Sequence, residues 1–470
     1  MSIEHWMPRL SSIGMALAAT VLSGCATFSA DGGLDAVSSM TRERTGQAVR
    51  FSKPGADPDA AVASADRLLA SPLTPDSAVQ VALLNNPNLQ ASFAQLGVVE
   101  ADLVQAGRMR NPGFSFTRLR GGNELEIDRS VMFDLVGLLT IPLRSGIEQR
   151  RFEQGKLQAA SQAVQLAGDT RRAWFTAVAA QQAAQYMERV KDSAEAGAEL
   201  ARRMRQAGNW SKLDQAREQA FYADATAQVA RARQRAVSAR EQLTRLMGLS
   251  GAKAAFTLPD RLPTLPGAPA EMANAEQQAM TQRLDVQMAK LDAQATASAL
   301  GLTKATRFIN VLEAGYANKS QTDKPRQDGY EISLELPIFD WGSARAAKAQ
   351  AQYMQSLNRA ADIAVRARSE VRETWSAYRT TYDVAKHYEG EVVPLRKRIS
   401  DEVLLRYNGM LAGVFELLAD AREQVASVNA AIEAQRDFWI AETDLQAAIN
   451  GSGGGASMPV NATGLAGKNQ

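Results

Sequence analysis

The chain has 470 residues, with 53 basic and 51 acidic side chains and a formal net charge of +2 at pH 7. This balance gives no support for a nucleic-acid partner, because phosphate binding needs a basic surplus. Two histidines and one cysteine are too few for a Cys/His metal cluster, and no cysteine nucleophile or Ser-His-Asp triad is expected. The composition therefore predicts neither an enzyme nor a cofactor site.

The N-terminal residues predict an export signal. A cationic start precedes an apolar run over 10–22, which is shorter than the roughly 20 residues of a membrane-spanning helix. The run ends in Leu22-Ser23-Gly24-Cys25, which resembles the bacterial lipoprotein box; a chance cysteine near a cleavage site is the alternative. The resemblance implies a signal peptide over 1–24, palmitate-type acyl chains on Cys25 and, because Ala26 follows, the outer membrane. Several acyl chains on one residue make a stable anchor.

Residues 25–72 contain scattered glycine and proline and predict a lipid-anchored, extended segment. A helix is expected to begin at Pro75 with Thr74 as its N-cap, since proline suits the first helical position. Apolar residues then recur every three or four positions, as on one face of a helix. Asn86-Pro87 predicts a break in this helical stretch, and Asn111-Pro112-Gly113 predicts its end.

The apolar period then changes from 3.6 to 2, which predicts β-strands. In the first half Phe114 and Phe116 alternate with polar residues, and after a polar turn the alternation resumes from Val131 to Ile141. In the second half the segments 312–317 and 330–336 alternate more cleanly. An apolar face opposite a charged face fits a strand between lipid and water, and it fits a soluble half-buried hairpin equally well.

Four strands cannot close a barrel, and open sheet edges are not tolerated in lipid. The outer-membrane address of Cys25 favours strands in the membrane, and several chains must then contribute to one barrel. Three copies would supply twelve strands, enough for a hollow conduit, whereas eight-stranded barrels are filled by side chains.

Very long helices are expected after each hairpin, over 144–207 and 341–407. Some 60 helical residues span roughly 90–100 Å, which suits a conduit crossing the periplasm. Gly208-Asn209 and Asn408-Gly409 break these helices and predict the tips of two helical hairpins. The returning helices are expected over 211–247 and 414–450.

The chain is a duplication. Ala216-Arg217-Glu218-Gln219 recurs as Ala421-Arg422-Glu423-Gln424, and Trp174 recurs as Trp375. The two tryptophans are expected to pack at equivalent positions of matched helices. The repeats are expected over 73–250 and 271–451, joined by a Pro-rich linker over 251–270 and followed by a mobile tail over 452–470.

The ordered set of features, duplicated, resembles the outer-membrane efflux family, the TolC-like outer-membrane factors, and within it the lipoprotein branch. It consists of the lipoprotein box, the strand pairs, the segment from Leu336 to Gly342, and Gly208-Asn209 followed by Leu213-Asp214. The resemblance implies an α+β membrane protein with a long α-helical, coiled-coil barrel and transmembrane β-barrel strands, assembled as a homotrimer. It implies the passive exit duct of a tripartite pump, whose partners are a periplasmic adaptor protein, an inner-membrane transporter and outer-membrane lipid.

The resemblance also implies a gate. In the family the periplasmic mouth is lined by acidic side chains shortly after the second tip, which by position fall on Glu416 and next to Asp420. A pair of solvated carboxylates is an equally weighted alternative. Ala412 stands where the family has an arginine that locks the tip. The residues implied for adaptor contact are the tip residues: Gly208, Asn209, Asn408 and Gly409.

A structural protein is the rival interpretation. A periplasmic coiled-coil lipoprotein with a scaffolding or tethering role would explain the lipoprotein box and the long helices. It would not explain two alternating hairpins at equivalent points of a duplication.

Overall fold

The computed structural model describes residues 27–51, 58–271, 274–308 and 311–451. The predicted signal peptide, Cys25 and the predicted tail over 452–470 lie outside these ranges. The chain divides into two compact units, each drawn from several segments of the sequence. The first unit holds the β-sheet with its neighbouring helical segments, and the second holds the tips of the helical hairpins.

The first half contains six helices and two strands among the described residues. They are α1 (Leu34–Thr45), α2 (Pro58–Leu69), α3 (Pro75–Asn85), α4 (Pro87–Ala106), β1 (Gly113–Gly121), β2 (Glu124–Asp134), α5 (Leu135–Gln206) and α6 (Lys212–Leu246). Thr74 caps α3 as predicted, because its hydroxyl accepts a hydrogen bond from the backbone N–H of Ser77 while the Ser77 hydroxyl accepts one from the Thr74 N–H.

The second half repeats this order. Its elements are α7 (Ala275–Gln282), α8 (Leu284–Ala305), β3 (Leu312–Gln321), β4 (Gln327–Leu334), α9 (Ser343–His387), α10 (Val393–Asn408) and α11 (Val414–Asn450). The predicted duplication of helix, two strands and two long helices is therefore confirmed. Within the described ranges, no helix is both long enough and apolar enough to cross a membrane.

The four strands form one antiparallel sheet in the order β1-β2-β3-β4. The central pairing joins the two halves, with Val131 of β2 opposite Tyr316 of β3. The strands β1 and β4 are the two edges of this sheet, and strand edges carry unpaired backbone N–H and C=O groups.

The largest core cluster lies in the second unit around Trp174. The Trp174 ring is 2 % exposed, and its Nε1–H donates to the Leu73 carbonyl oxygen at 3.0 Å. Trp375 is half-buried in a separate cluster, with its ring 5.9 Å from that of Tyr378. Both tryptophans pack in helix clusters, as predicted, but only Trp174 is fully buried.

The Pro-rich linker is packed against helices of the second unit. The Pro263 carbonyl oxygen accepts hydrogen bonds from Gln435 Nε2 at 2.7 Å and from Trp439 Nε1 at 3.1 Å. The Tyr382 hydroxyl donates to the Gly267 carbonyl oxygen at 2.9 Å. These bonds satisfy linker carbonyls that have no partner in a regular element.

One predicted strand ends early. The alternation from Val131 to Ile141 predicts a strand, but β2 stops at Asp134 and residues 135–141 belong to α5. The Asp134 carboxylate accepts a hydrogen bond from the Gly137 N–H at 2.7 Å, which caps the first turn of the helix. The helix continues through Pro142.

Two further predictions are corrected. The segment 25–72, expected to be extended, contains α1 and α2; Val37 and Thr41 of α1 are buried one turn apart, so packing stabilises this helix. The helix expected over 341–407 begins at Ser343 and is interrupted by a π-helical turn at Tyr388–Val392. Pro394 explains the π-helical turn, because proline has no N–H to donate and its ring clashes with the carbonyl of Gly390, four residues earlier.

Candidate functional site

The sheet has two unlike faces. Phe114, Val131, Tyr316 and Tyr330 stand opposite one another in a single row across all four strands. Their face is apolar near the helical ends of the strands and strongly exposed, with Tyr330 at 93 % and Ile332 at 72 % exposure. An exposed apolar surface of this extent calls for a covering partner.

The same face becomes polar toward the hairpin turns. Asn318 accepts a hydrogen bond from Arg129 Nη1 at 3.1 Å and donates one to Asp328 at 2.5 Å. The Tyr316 hydroxyl donates to Asp328 at 2.6 Å. On β2, β3 and β4 the apolar row is therefore bounded on the turn side by hydrogen-bonded polar groups, whereas β1 places the exposed Phe116 in this position.

The opposite face of the sheet is polar throughout its centre. The row next to Ser115 and Ser130 contains Thr117, Asp128, Lys319 and Gln327. Lys319 forms an ion pair with Glu126, and Gln321 Nε2 donates to the same carboxylate at 2.6 Å. This face can contact water while the first face contacts an apolar medium.

The first helical tip is a glycine C-cap. Gly208 has φ +82°, and its N–H donates to the Arg205 carbonyl oxygen while the Asn209 N–H donates to that of Met204, both at 2.9 Å. This is the Schellman pattern that commonly ends helices. Ser211 then caps α6, since its hydroxyl accepts from the Asp214 N–H.

The second tip uses the same bonds with a different residue. The Met410 N–H donates to the Tyr407 carbonyl oxygen at 3.0 Å, and the Leu411 N–H donates to that of Arg406 at 2.8 Å. The left-handed residue is therefore Met410, with φ +61°, whereas Gly409 has φ −81°. Met410 and Leu411 are 95 % and 82 % exposed, so this tip presents an apolar surface.

The two residues predicted at the gate lie one turn apart on α11. Glu416 is in the first turn and exposed. Asp420 is half-buried, and its carboxylate accepts a hydrogen bond from the Ser400 hydroxyl of α10 at 2.5 Å. Asp420 therefore faces the other helix of its own hairpin, and only Glu416 presents its carboxylate openly to solvent. The gate assignment stays a prediction.

Sequence reasoning missed a pair of contacts between the hairpins. The Arg217 guanidinium lies 5.0 Å from the Phe415 ring centroid, and the Arg422 guanidinium lies 5.4 Å from the Phe221 ring centroid. Glu218 beside them is buried, and this burial raises the pKa of its carboxyl, although the Arg422 charge opposes the shift. The repeated Ala-Arg-Glu-Gln motif was visible in the sequence, but repetition alone does not reveal which rings its arginines meet.

Among the described residues, no group of three or more His, Cys, Asp or Glu side chains is placed to hold a metal ion.

The architecture is that of solved outer-membrane channels. The structure of the Campylobacter jejuni CmeC outer membrane channel superposes with a TM-score of 0.71 at 15 % identity, covering 82 % of this chain and 87 % of that one. The Vibrio cholerae outer membrane protein VceC gives 0.69 at 14 %, covering 81 % and 96 %. The open state of the Neisseria gonorrhoeae MtrE outer membrane channel gives 0.66 at 18 %, covering 81 % and 90 %.

The similarity lies in the fold. No protein-family model matches the sequence, and no curated protein matches it. The chain thus has long helices and four antiparallel strands arranged as in the TolC-like outer-membrane channels, and identities of 14–18 % establish this fold and no more.

Proposed function

We propose that this chain is one subunit of a passive outer-membrane channel, the exit duct of a tripartite efflux pump. The observation that carries the proposal is the exposed apolar row on one face of a four-stranded sheet, in a chain with the fold of outer-membrane channels. Burying this row in lipid removes it from water, and the opposite polar face can then line an aqueous lumen.

The sheet edges support an assembly of several copies. Strand directions alternate from β1 to β4, so β4 of one copy can pair antiparallel with β1 of the next. Such head-to-tail contacts form a ring when the rotation between neighbouring copies divides a full turn. Three copies give twelve strands, and a barrel of that size has room for a hollow centre. A homotrimer is therefore proposed.

Placement in the cell is part of the same proposal. We assign the chain to the outer membrane of a Gram-negative bacterium, anchored through acylated Cys25 and extending into the periplasm. The exposed tips at Gly208-Asn209 and Asn408-Gly409 are proposed to meet the periplasmic adaptor, which joins the duct to an inner-membrane transporter. Glu416 and Asp420 are proposed to line the gated mouth, and the duct itself catalyses no reaction.

The primary experiment is planar-bilayer conductance of protein purified from outer membranes in detergent. Discrete single-channel openings and a mass of three protomers are expected. A monomer without conductance would contradict the channel and would favour the scaffolding lipoprotein.

A pair of neighbouring substitutions tests the sheet faces. Ile332 lies on the apolar face of β4 and Ser333 on the polar face. A cation facing mid-bilayer lipid costs about 2–4 kcal/mol, so Ile332→Arg should reduce the trimer recovered from outer membranes. Ser333→Arg, facing water, should leave the yield near that of the wild type. Equal yields of the two variants would refute the assignment of faces.

A further inference from the structure

The two faces of the β-sheet carry opposite charge. Residues that alternate along a strand, or that lie directly opposite one another, share a face, so the register assigns each strand residue to one face. The charged residues on the face with the apolar row are Arg118, Arg120, Arg129 and Asp328. Within the four strands, the cation of the other face is Lys319. The carboxylates of that face are Glu124, Glu126, Asp128, Asp134, Glu313 and Glu331. The basic surplus thus lies on the face that the proposed function turns toward lipid.

The carboxylate on the apolar face already has partners. Asp328 accepts hydrogen bonds from the Tyr316 hydroxyl at 2.6 Å and from Asn318 Nδ2 at 2.5 Å. Nε of Arg326, in the turn between β3 and β4, lies 3.9 Å from the same carboxylate. Arg129 donates to Asn318 Oδ1 at 3.1 Å and so belongs to this network. The network therefore leaves no carboxylate of this face for the two arginines of β1.

Arg118 and Arg120, called the arginine pair below, are the free cations of this face. Both residues are exposed, and in the part of the chain that the structure describes neither guanidinium has a hydrogen-bond or ion-pair partner. Their cross-strand neighbours are uncharged, with Ile127 and then Ser320 beside Arg118 and Leu125 beside Arg120. Because the two arginines are two residues apart on one strand, their Cα atoms are roughly 7 Å apart. Both guanidinium groups can therefore contact one phosphorylated headgroup.

The position of the arginine pair along the strands fits the far margin of an apolar band. Leu312 and Leu334 lie opposite one another at the helical end of this face. Arg118 lies eight residues beyond them in the register, and Arg120 two residues further on. A strand tilted by about 45° crosses roughly 2.3 Å of membrane per residue, which places the pair about 19 and 23 Å from the leucines. The apolar band of an outer-membrane barrel is about 25 Å tall, and a long arginine side chain can extend its charge to the headgroups.

The arginine pair lies at the turn end of the sheet. The helices α4, α5, α8 and α9 join the strands at the opposite end. In the proposed channel these helices extend into the periplasm, so the turn end meets the outer leaflet of the membrane. The main lipid of that leaflet is lipopolysaccharide, whose lipid A anchor carries phosphate groups. A guanidinium suits such a group, because its parallel N–H donors match two phosphate oxygens.

We propose that the arginine pair binds the phosphate groups of lipid A in the outer leaflet. This inference rests on the proposed channel function, which supplies the lipid on this face of the sheet. The exposed Phe114 and Phe116 precede the pair on the same face of β1 and contact the acyl chains of the same lipid. Each subunit thus holds an anionic lipid beside its β1 edge.

The test is native mass spectrometry of the detergent-purified trimer titrated with bisphosphorylated lipid A. Arg118→Gln with Arg120→Gln removes both charges from exposed positions that have no partner in the fold. A surface cation contributes a factor of about five to the binding of an anionic lipid, so the affinity should fall about 10- to 30-fold. Arg118→Lys with Arg120→Lys keeps both charges and should bind lipid A more tightly than the glutamine variant. Equal losses in the two variants would overturn a contact based on charge.

Lys319→Gln is the matched control. Lys319 lies on the other face of the same sheet, where it forms an ion pair with Glu126. Its removal should leave the affinity for lipid A unchanged, because this face is turned away from lipid. A loss equal to that of the glutamine variant would attribute binding to the net charge of the protein and overturn the site.

Two ligand controls identify the phosphate and its source. Lipid A without its phosphate groups should bind the wild type and the glutamine variant equally, and a weaker complex with the variant would overturn the phosphate contact. A millimolar excess of inorganic phosphate should not displace lipid A from the wild type. Displacement would assign the arginine pair to a free anion and overturn the lipid.

The outcomes separate the lipid site from the channel. A conducting wild-type trimer whose glutamine variant binds lipid A as tightly as the wild type would overturn the lipid site alone. A wild type that forms no trimer and never conducts would overturn the proposed function. The glutamine variant should itself form conducting trimers, since neither arginine has a partner within the subunit.

Discussion

The substitution Trp174→Phe isolates one buried hydrogen bond in the largest core cluster. The Trp174 Nε1–H donates to the carbonyl oxygen of Leu73, which is 1 % exposed. The ring centroids of Trp174 and Phe175 lie 5.1 Å apart. Phenylalanine at position 174 keeps this ring contact and removes the hydrogen-bond donor. The Leu73 oxygen is then left buried without that partner.

The expected loss of stability has two parts. An unsatisfied buried acceptor costs about 1–3 kcal/mol. The smaller ring leaves a gap of a few tens of Å³, which adds about 1 kcal/mol at roughly 24 cal/mol per Å³. Unfolding entropy is about 2.1 cal/mol/K per residue, or about 1 kcal/mol/K for 470 residues, so the melting temperature should fall by about 2–4 °C.

The duplication supplies the control, because Trp375→Phe changes the same residue type at the equivalent position. Trp375 is half-buried and packs beside Tyr378, so its replacement should lower the melting temperature less than half as much. Circular dichroism at 222 nm in detergent follows the helices of both variants. Equal shifts of the melting temperature at the two positions would refute the reasoning, because the burial of Trp174 and its hydrogen bond to Leu73 would then contribute nothing to stability.

Three further outcomes are expected. Cys25→Ala should abolish incorporation of labelled palmitate; persistent labelling would exclude this cysteine as the acylated residue. Gly248→Ala should lower the free energy of unfolding, followed by urea titration, by about 1–3 kcal/mol, because φ is +66° and the new Cβ would lie 2.7 Å from the Asn85 carbonyl oxygen. Gly208→Ala, with φ +82° and open space, should lower it less, and an equal effect would exclude the close approach as the cause. Glu416→Ala with Asp420→Ala should weaken divalent-cation block of conductance, whereas Ser400→Ala, which frees the Asp420 carboxylate, should not; unchanged block in the double variant would remove both carboxylates from the gate.

The order and the ends of the helices could be predicted from the sequence where capping residues, prolines or glycines mark them. The predicted helix over 414–450 agrees with α11 at both ends, and Thr74 is the cap that its residue type indicates. The strand expected through Ile141 was wrong because a short apolar run suits a strand or a helix, and the capping carboxylate of Asp134 decided between them.

The tips were located correctly, but their detailed geometry was not predictable. Asn408-Gly409 marks the end of the helix, yet the residue in the left-handed conformation is Met410. The choice depends on which carbonyls the last turn must satisfy, and this is a property of the folded helix. The contacts of Arg217 with Phe415 and of Arg422 with Phe221 depend on which faces of α6 and α11 meet, and tertiary packing sets those faces.

The open edges of the sheet have a consequence for cells that express two forms of this protein. In the proposed head-to-tail ring every subunit contributes a β1 edge to one neighbour and a β4 edge to the other. One subunit with a blocked edge therefore prevents the ring from closing. With equal amounts of intact and blocked subunits, only about one trimeric ring in eight would contain three intact copies. A variant with a proline at a hydrogen-bonding position of β1 should therefore inhibit the wild-type protein dominantly. This inhibition needs no overexpression of the variant and no decrease in the amount of wild-type protein.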